Sequence, residues 1–190
     1  MFKIFQYNSP VILTYTILSF IALVIATLTG GTANWYFFSI YRSSFTDPLF
    51  YLRLFTHVFG HASFEHYFNN FLTILLIGPM LEEKYGSKAL LRMLLITTVS
   101  TGLLHIAFFN SALLGASGIV FFLILLASYT NFRRGKIPIT LILVIVIFLG
   151  REIMGTVVMN DNIARTTHIF GGVIGVISGY YYNSKGRRRA

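Results

Sequence analysis

The chain has 190 residues, 55% hydrophobic and only 11% charged, and its mean hydropathy of +0.72 excludes a soluble globular domain. Its 15 Lys and Arg against 6 Asp and Glu do not mark a nucleic-acid surface, because the bases sit in short clusters between apolar runs and at the tail, a topology pattern. Cysteine is absent, which excludes disulfides, thiolate catalysis and cysteine-held metals.

An all-α membrane protein is the expectation: a single domain over residues 1–190 with room for about six spanning helices. The first apolar run, 10–28, is long enough to span, and the Gly30-Gly31 pair after it favours a retained helix over a cleaved signal. Residues 32–53 form a loop rich in aromatics (Trp35, Tyr36, Phe37, Phe38, Tyr41), a composition suited to lying in the membrane interface. Further helices are predicted over 64–81, 89–109, 117–129, 137–149 and 166–182. The charged run Glu82-Glu83-Lys84 reads as a connection, 110–116 as a short uncharged turn, and 151–165 as a polar loop.

Basic residues on alternate connections set the orientation. Lys3, the group Lys84, Lys88 and Arg92, the group Arg133, Arg134 and Lys136, and the tail Lys185, Arg187, Arg188 and Arg189 all fall on one side, so both termini are expected in the cytoplasm of a multi-pass cell (inner) membrane protein. Helices two, four and six then run inwards from the outer face, bringing His66, Asn70, Ser117 and His168 to the same side. Ser117 stands about 14 residues, or roughly 21 Å, above Asn131. His66 and His168 lie at a comparable level, on the order of 10 Å below the outer surface. The fourth helix is too short to span, and its buried amino end is tolerable only where protein or a water-filled cavity surrounds it.

A serine hydroxyl needs a base, and His168 is the histidine placed to serve. Gly171, Gly175 and Gly179 follow on one helical face and allow a close approach of the helix that carries Gly115 and Gly118 around Ser117. His66 and Asn70, four residues apart on one face, can point together at a developing oxyanion, with the Ser117 backbone amide as a third donor. No acid is placed to complete a triad, so the reading is a Ser-His dyad. His57 and His61 read as supports of the first loop and of the mouth of the second helix, and His105 as structural. Gly150 and Gly155 flank a stretch that can serve as a lid.

These residues resemble the rhomboid family of intramembrane serine proteases. Gly115-Ala116-Ser117-Gly118 is similar to the family's nucleophile motif, His61-Ala62-Ser63-Phe64-Glu65-His66-Tyr67-Phe68-Asn69-Asn70 to its second-helix motif, and His168-Ile169-Phe170-Gly171 to its general-base motif. Arg53-Leu54-Phe55-Thr56-His57 and Glu82-Glu83-Lys84-Tyr85-Gly86-Ser87 extend the resemblance, which covers about residues 10–183 in order. It implies a six-helix bundle of the minimal bacterial form with a half-submerged first loop and a short central fourth helix starting at Ser117. It also implies an endopeptidase that needs no cofactor or metal and cuts the transmembrane segments of other membrane proteins, partners met within the lipid bilayer. Leu52 stands where the family often has Trp, Asn69 where Phe is common, and Thr167 where Ala is usual. Two other classes compete: a His57, His61 and His66 metal site in a transporter or metalloenzyme, and a non-catalytic binder of membrane helices.

Overall fold

The computed structural model describes residues 6–129, 139, 142–147 and 162–187. Among these every regular element is an α-helix: α1 (Pro10–Leu28), α2 (Thr32–Phe37), α3 (Pro48–Thr56), α4 (Phe64–Tyr85), α5 (Ser87–Phe108), α6 (Ser117–Tyr129) and α7 (Asn162–Arg187). Residues 142–147, inside the fifth predicted helix, are also helical, while its ends fall outside the described residues.

Both ends of α1 and the start of α6 coincide with the expected ones; α5 begins two residues before and ends one residue before the expected 89–109, and three other elements differ more. First, α4 continues through Glu82-Glu83-Lys84 to Tyr85, with Pro79 inside it. That charged run is therefore the last turn of a helix and not a connection. The turn is held because Glu82, 3% exposed, accepts hydrogen bonds from the Val11 and Ile12 amides, both at 3.0 Å, and from the Ser87 hydroxyl at 2.7 Å. A carboxylate thus satisfies donors at the start of α1 that the helix leaves unpaired, and charge there also complements the helix dipole. Second, α7 begins at Asn162 and runs to Arg187, longer at both ends than 166–182. Third, the first loop holds two helices. α3 starts where Asp47 accepts from the Leu49 amide at 2.9 Å, with Pro48 in the first turn.

Glycine makes the sharpest reversal. Gly86, at φ +80°, ends α4 and caps the start of α5, a backbone conformation that a side chain disfavours.

Polarity is distributed inside out. Ser19, Thr97, Thr98, Thr101 and His105 are buried, whereas Ile17, Phe20, Ile21, Val24 and Ile25 of α1 and Leu91, Leu95 and Ile96 of α5 are exposed. So large an exposed apolar surface suits a lipid environment. Thr97 and Thr101 satisfy their hydroxyls within the helix, on the Met93 carbonyl at 2.9 Å and on the Thr97 carbonyl at 2.8 Å. α1 and α5 are long and apolar enough to cross a membrane.

The core surrounds α6. Its Ile119, Phe122, Leu123 and Leu126 are at most 1% exposed, and it packs against α4, α5 and, most extensively, α7. A helix apolar on all sides is stable where neighbours cover every side. Its 13 described residues, from Ser117, rise about 20 Å.

Candidate active site

The turn before α6 is built from the first loop. The Gly115 amide donates to the His57 carbonyl at 2.9 Å, and Ile40 and Leu113 exchange backbone hydrogen bonds of 2.9 and 2.8 Å. Arg42 closes the end of α5, donating to the carbonyls of Ile106 and Ala107 at 2.5 and 2.7 Å and to the Asn110 side chain at 2.5 Å. A guanidinium there satisfies unpaired carbonyls and sits at the negative end of the helix dipole. The turn is therefore tied at both ends to residues far away in sequence.

Gly115 has φ +122°, and a Cβ on it would lie 2.8 Å from His66 Cε1 and 3.0 Å from Nε2. The His66 ring thus rests against the backbone two residues before Ser117. The fully buried Ala116 precedes the helix, its carbonyl accepting the Val120 amide at 2.9 Å, and Ser117, half-buried, is the first helical residue.

α7 reaches this turn through its glycines. A Cβ on Gly171 would collide with the Gly118 carbonyl oxygen and lie 3.0 and 3.2 Å from the Gly118 carbonyl carbon and Cα. One on Gly175 would be 2.5 Å from the Phe122 carbonyl oxygen. Backbone meets backbone along this seam, the close approach that small residues permit between membrane helices. Three residues before Gly171, His168 stacks its ring on Phe121, centroids 4.4 Å apart and planes within 8°. Phe121 is one helical turn from Ser117 on the same face of α6. Thr167, buried, faces Gly118, where a Cβ would stand 3.4 Å from Thr167 Cγ2. The methyl fits beside the seam without prising it open.

On α4, Ser63 caps the helix by accepting the His66 amide at 3.1 Å, which sets the start of the turn that carries His66 and Asn70. Asn70 is buried and donates from Nδ2 to His61 Nε2 at 3.2 Å, while His61 Nδ1 is 3.1 Å from the Phe59 carbonyl. A carbonyl only accepts, so Nδ1 carries the proton and Nε2 is left as the acceptor for Asn70. The His61 ring also touches His66 edge-on at 4.9 Å, and packs on Tyr67 and Phe71. Burial and the neighbouring His66 push the His61 imidazole, on the connection between α3 and α4, down to about 4, so it stays neutral near pH 7. One Nδ2 hydrogen of Asn70 is held in this way.

The structure therefore brings His66 to Gly115, Asn70 and His61 to His66, and His168 to the face of α6 that Ser117 begins. His66 and His168 are close enough for a charge on one to be felt by the other. His57 and His61 do support the loop, His57 through its carbonyl on Gly115 and its Nδ1–H on the Arg53 carbonyl at 3.2 Å. His105 donates to the Ser111 carbonyl at 2.8 Å and braces the chain leading to the turn. Gly150 and Gly155 lie outside the described residues. Sequence spacing misses two partners, His61 of Asn70 and Phe121 of His168. The first reaches across a turn, and only the i+4 relation of Phe121 to Ser117 hints at the second.

A family model for the Rhomboid domain matches residues 49–185. The chain belongs to the rhomboid family. That family is generally one of intramembrane serine proteases acting on transmembrane proteins in the bilayer, and it includes inactive members. No curated protein matches the chain. The rhomboid match takes in α4 to α7, and with them all three motifs around Ser117, His66 and His168.

Proposed function

We propose that this rhomboid-family protein is a serine endopeptidase that cuts transmembrane segments of other membrane proteins near the outer face. Ser117 is the nucleophile, His168 the general base, and His66, Asn70 and the Ser117 amide are the oxyanion donors. The observation that carries this reading is the Gly118–Gly171 contact. It sets the amino end of α6 directly against α7, with His168 lying flat on the side of α6 that Ser117 begins. Ser117 Oγ attacks the peptide carbonyl carbon as His168 takes its proton, and the oxyanion gathers on the donors. His168 then returns the proton to the departing amine, and water resolves the acyl-enzyme by the same steps in reverse order.

In this reading six helices span the membrane and both termini are cytoplasmic. The site then sits at the floor of a cavity open to the outside, since the short α6 begins below the surface. Substrates carry small or helix-weakening residues near the cut, because a peptide bond hydrogen-bonded within a helix resists attack. The competing metal reading meets an obstacle in hydrogen bonding: His61 engages both ring nitrogens, and His57 uses Nδ1 on a carbonyl. Purified protein in proteoliposomes with a single-span test substrate decides between protease and binder. Cleavage by the parent and none by Ser117→Ala or His168→Ala is expected; cleavage by either variant at the parent rate removes the dyad.

A further inference from the structure

A cleft of about 470 Å³ opens between α1 and α5, walled by Leu18, Leu91 and Leu95, floored by Ile119 of α6 and roofed by Phe55 and Phe59 of the first loop. Along α5 it extends from Ser87 to Thr98. At 1.5 Å per residue that is about 16 Å, against ~15 Å for half of a ~30 Å hydrocarbon core. The cleft is therefore as long as one leaflet is deep.

At its lower end the chemistry changes. Ser87 also lines a second cavity, of about 550 Å³, whose walls include Asn8, Ser9, Glu82 and Glu83. This cavity is polar and presents two carboxylates, with no Lys or Arg in its wall among the described residues. The Glu82 oxygens are engaged by α1 and Ser87, which leaves Glu83, exposed, as the carboxylate free to meet a cation. The carboxyl end of α4 adds negative potential there. An apolar slot one leaflet deep, ending in an acidic polar chamber, matches an amphiphile with a cationic head.

We propose that this cleft binds a phospholipid of the phosphatidylethanolamine class, with one acyl chain between α1 and α5 and the primary ammonium on Glu83. The inference depends on the protein lying in a bilayer and not on its peptidase chemistry. Native mass spectrometry of the whole protein, released from membranes of equal phosphatidylethanolamine and phosphatidylglycerol content, tests it. The parent retains one phosphatidylethanolamine in preference by about fivefold, the scale of one solvent-screened ion pair. Glu83→Lys reverses the preference, and Leu91→Trp or Leu95→Trp, at exposed positions of the wall, loses both lipids. Equal retention of the two lipids by parent and Glu83→Lys overturns the headgroup assignment. Parent-like retention in both tryptophan variants overturns the cleft itself.

Discussion

Replacing Gly171 by alanine tests the seam that joins the two halves of the dyad. The new methyl would lie 3.0 Å from the Gly118 carbonyl carbon and 3.2 Å from its Cα, and would overlap the carbonyl oxygen. All three atoms are backbone, so no rotamer relieves the clash and α7 must move outward. Restoring ordinary contact of about 3.5 Å with the oxygen takes a displacement of roughly 1 Å at this level. Overpacking of this kind costs about 1–3 kcal/mol, or roughly 3–10 °C in Tm for a chain of this length. His168 is one turn away on the moving helix, and a 1 Å misplacement of a reacting group costs ~10²-fold in rate. Gly172→Ala is the control, since its methyl would meet only the tip of the Leu125 side chain, at 2.8 Å. Turnover of a single-span substrate and thermal unfolding in detergent should both fall for Gly171→Ala and stay near the parent for Gly172→Ala. Parent-like turnover and Tm in Gly171→Ala would refute the seam as the device that aligns Ser117 and His168.

Other consequences follow from the same geometry. His61→Phe keeps the ring against Tyr67 and Phe71 but removes the acceptor of Asn70, so kcat should fall about tenfold with KM little changed, the scale of one hydrogen bond to a buried group; an unchanged kcat would detach His61 from the site. Glu82→Ala strips three hydrogen bonds from the start of α1 and from Ser87. It should lower stability by about 2–4 kcal/mol, read as Tm in detergent, and a Tm equal to the parent would contradict the capping role. Burial pushes the His57 and His61 imidazoles from 6.5 down to about 4. The unfolded chain takes up these protons near pH 6.5 and the folded chain only near 4. Stability is therefore full above pH 6.5 and is lost as the pH falls towards 4, by on the order of 3 kcal/mol for each group. A Tm that does not fall between pH 7.5 and pH 4.5 would contradict their burial as neutral rings.

Local signals are the legible part of this chain. The apolar runs of α1 and α6 are bounded by Pro10, by the Gly30-Gly31 pair and by the glycines around Ser117, and the structure begins both helices, and ends α1, at the expected residues. The Asp47-Pro48 pair is an equally local helix start, but the aromatic composition around it reads as an irregular interfacial loop and hides α3. Glu82 is a different case. Its charge reads as a connection after the helix, and only the arrival of α1, some 70 residues earlier in the chain, turns it into a buried cap. In the site, His66 and Asn70 are legible because one helix sets their spacing, and the glycines of α7 because they repeat on one face. The His61–Asn70 bond, the Arg42 clamp and the Ile40–Leu113 bridge each join segments with no shared period, so they emerge only on folding.

The most direct measurement of the central claim is labelling of the purified protein with a fluorophosphonate, followed by mass spectrometry of the modified peptide. Phosphonylation consumes the serine hydroxyl proton as the leaving group departs, so it reports activation of the nucleophile by its base with no knowledge of the substrate. The account predicts a single adduct on Ser117 in the parent, loss of labelling in Ser117→Ala, and a fall of at least ~10³-fold in the labelling rate for His168→Ala. An adduct on another serine, or undiminished labelling of Ser117 without His168, would contradict it.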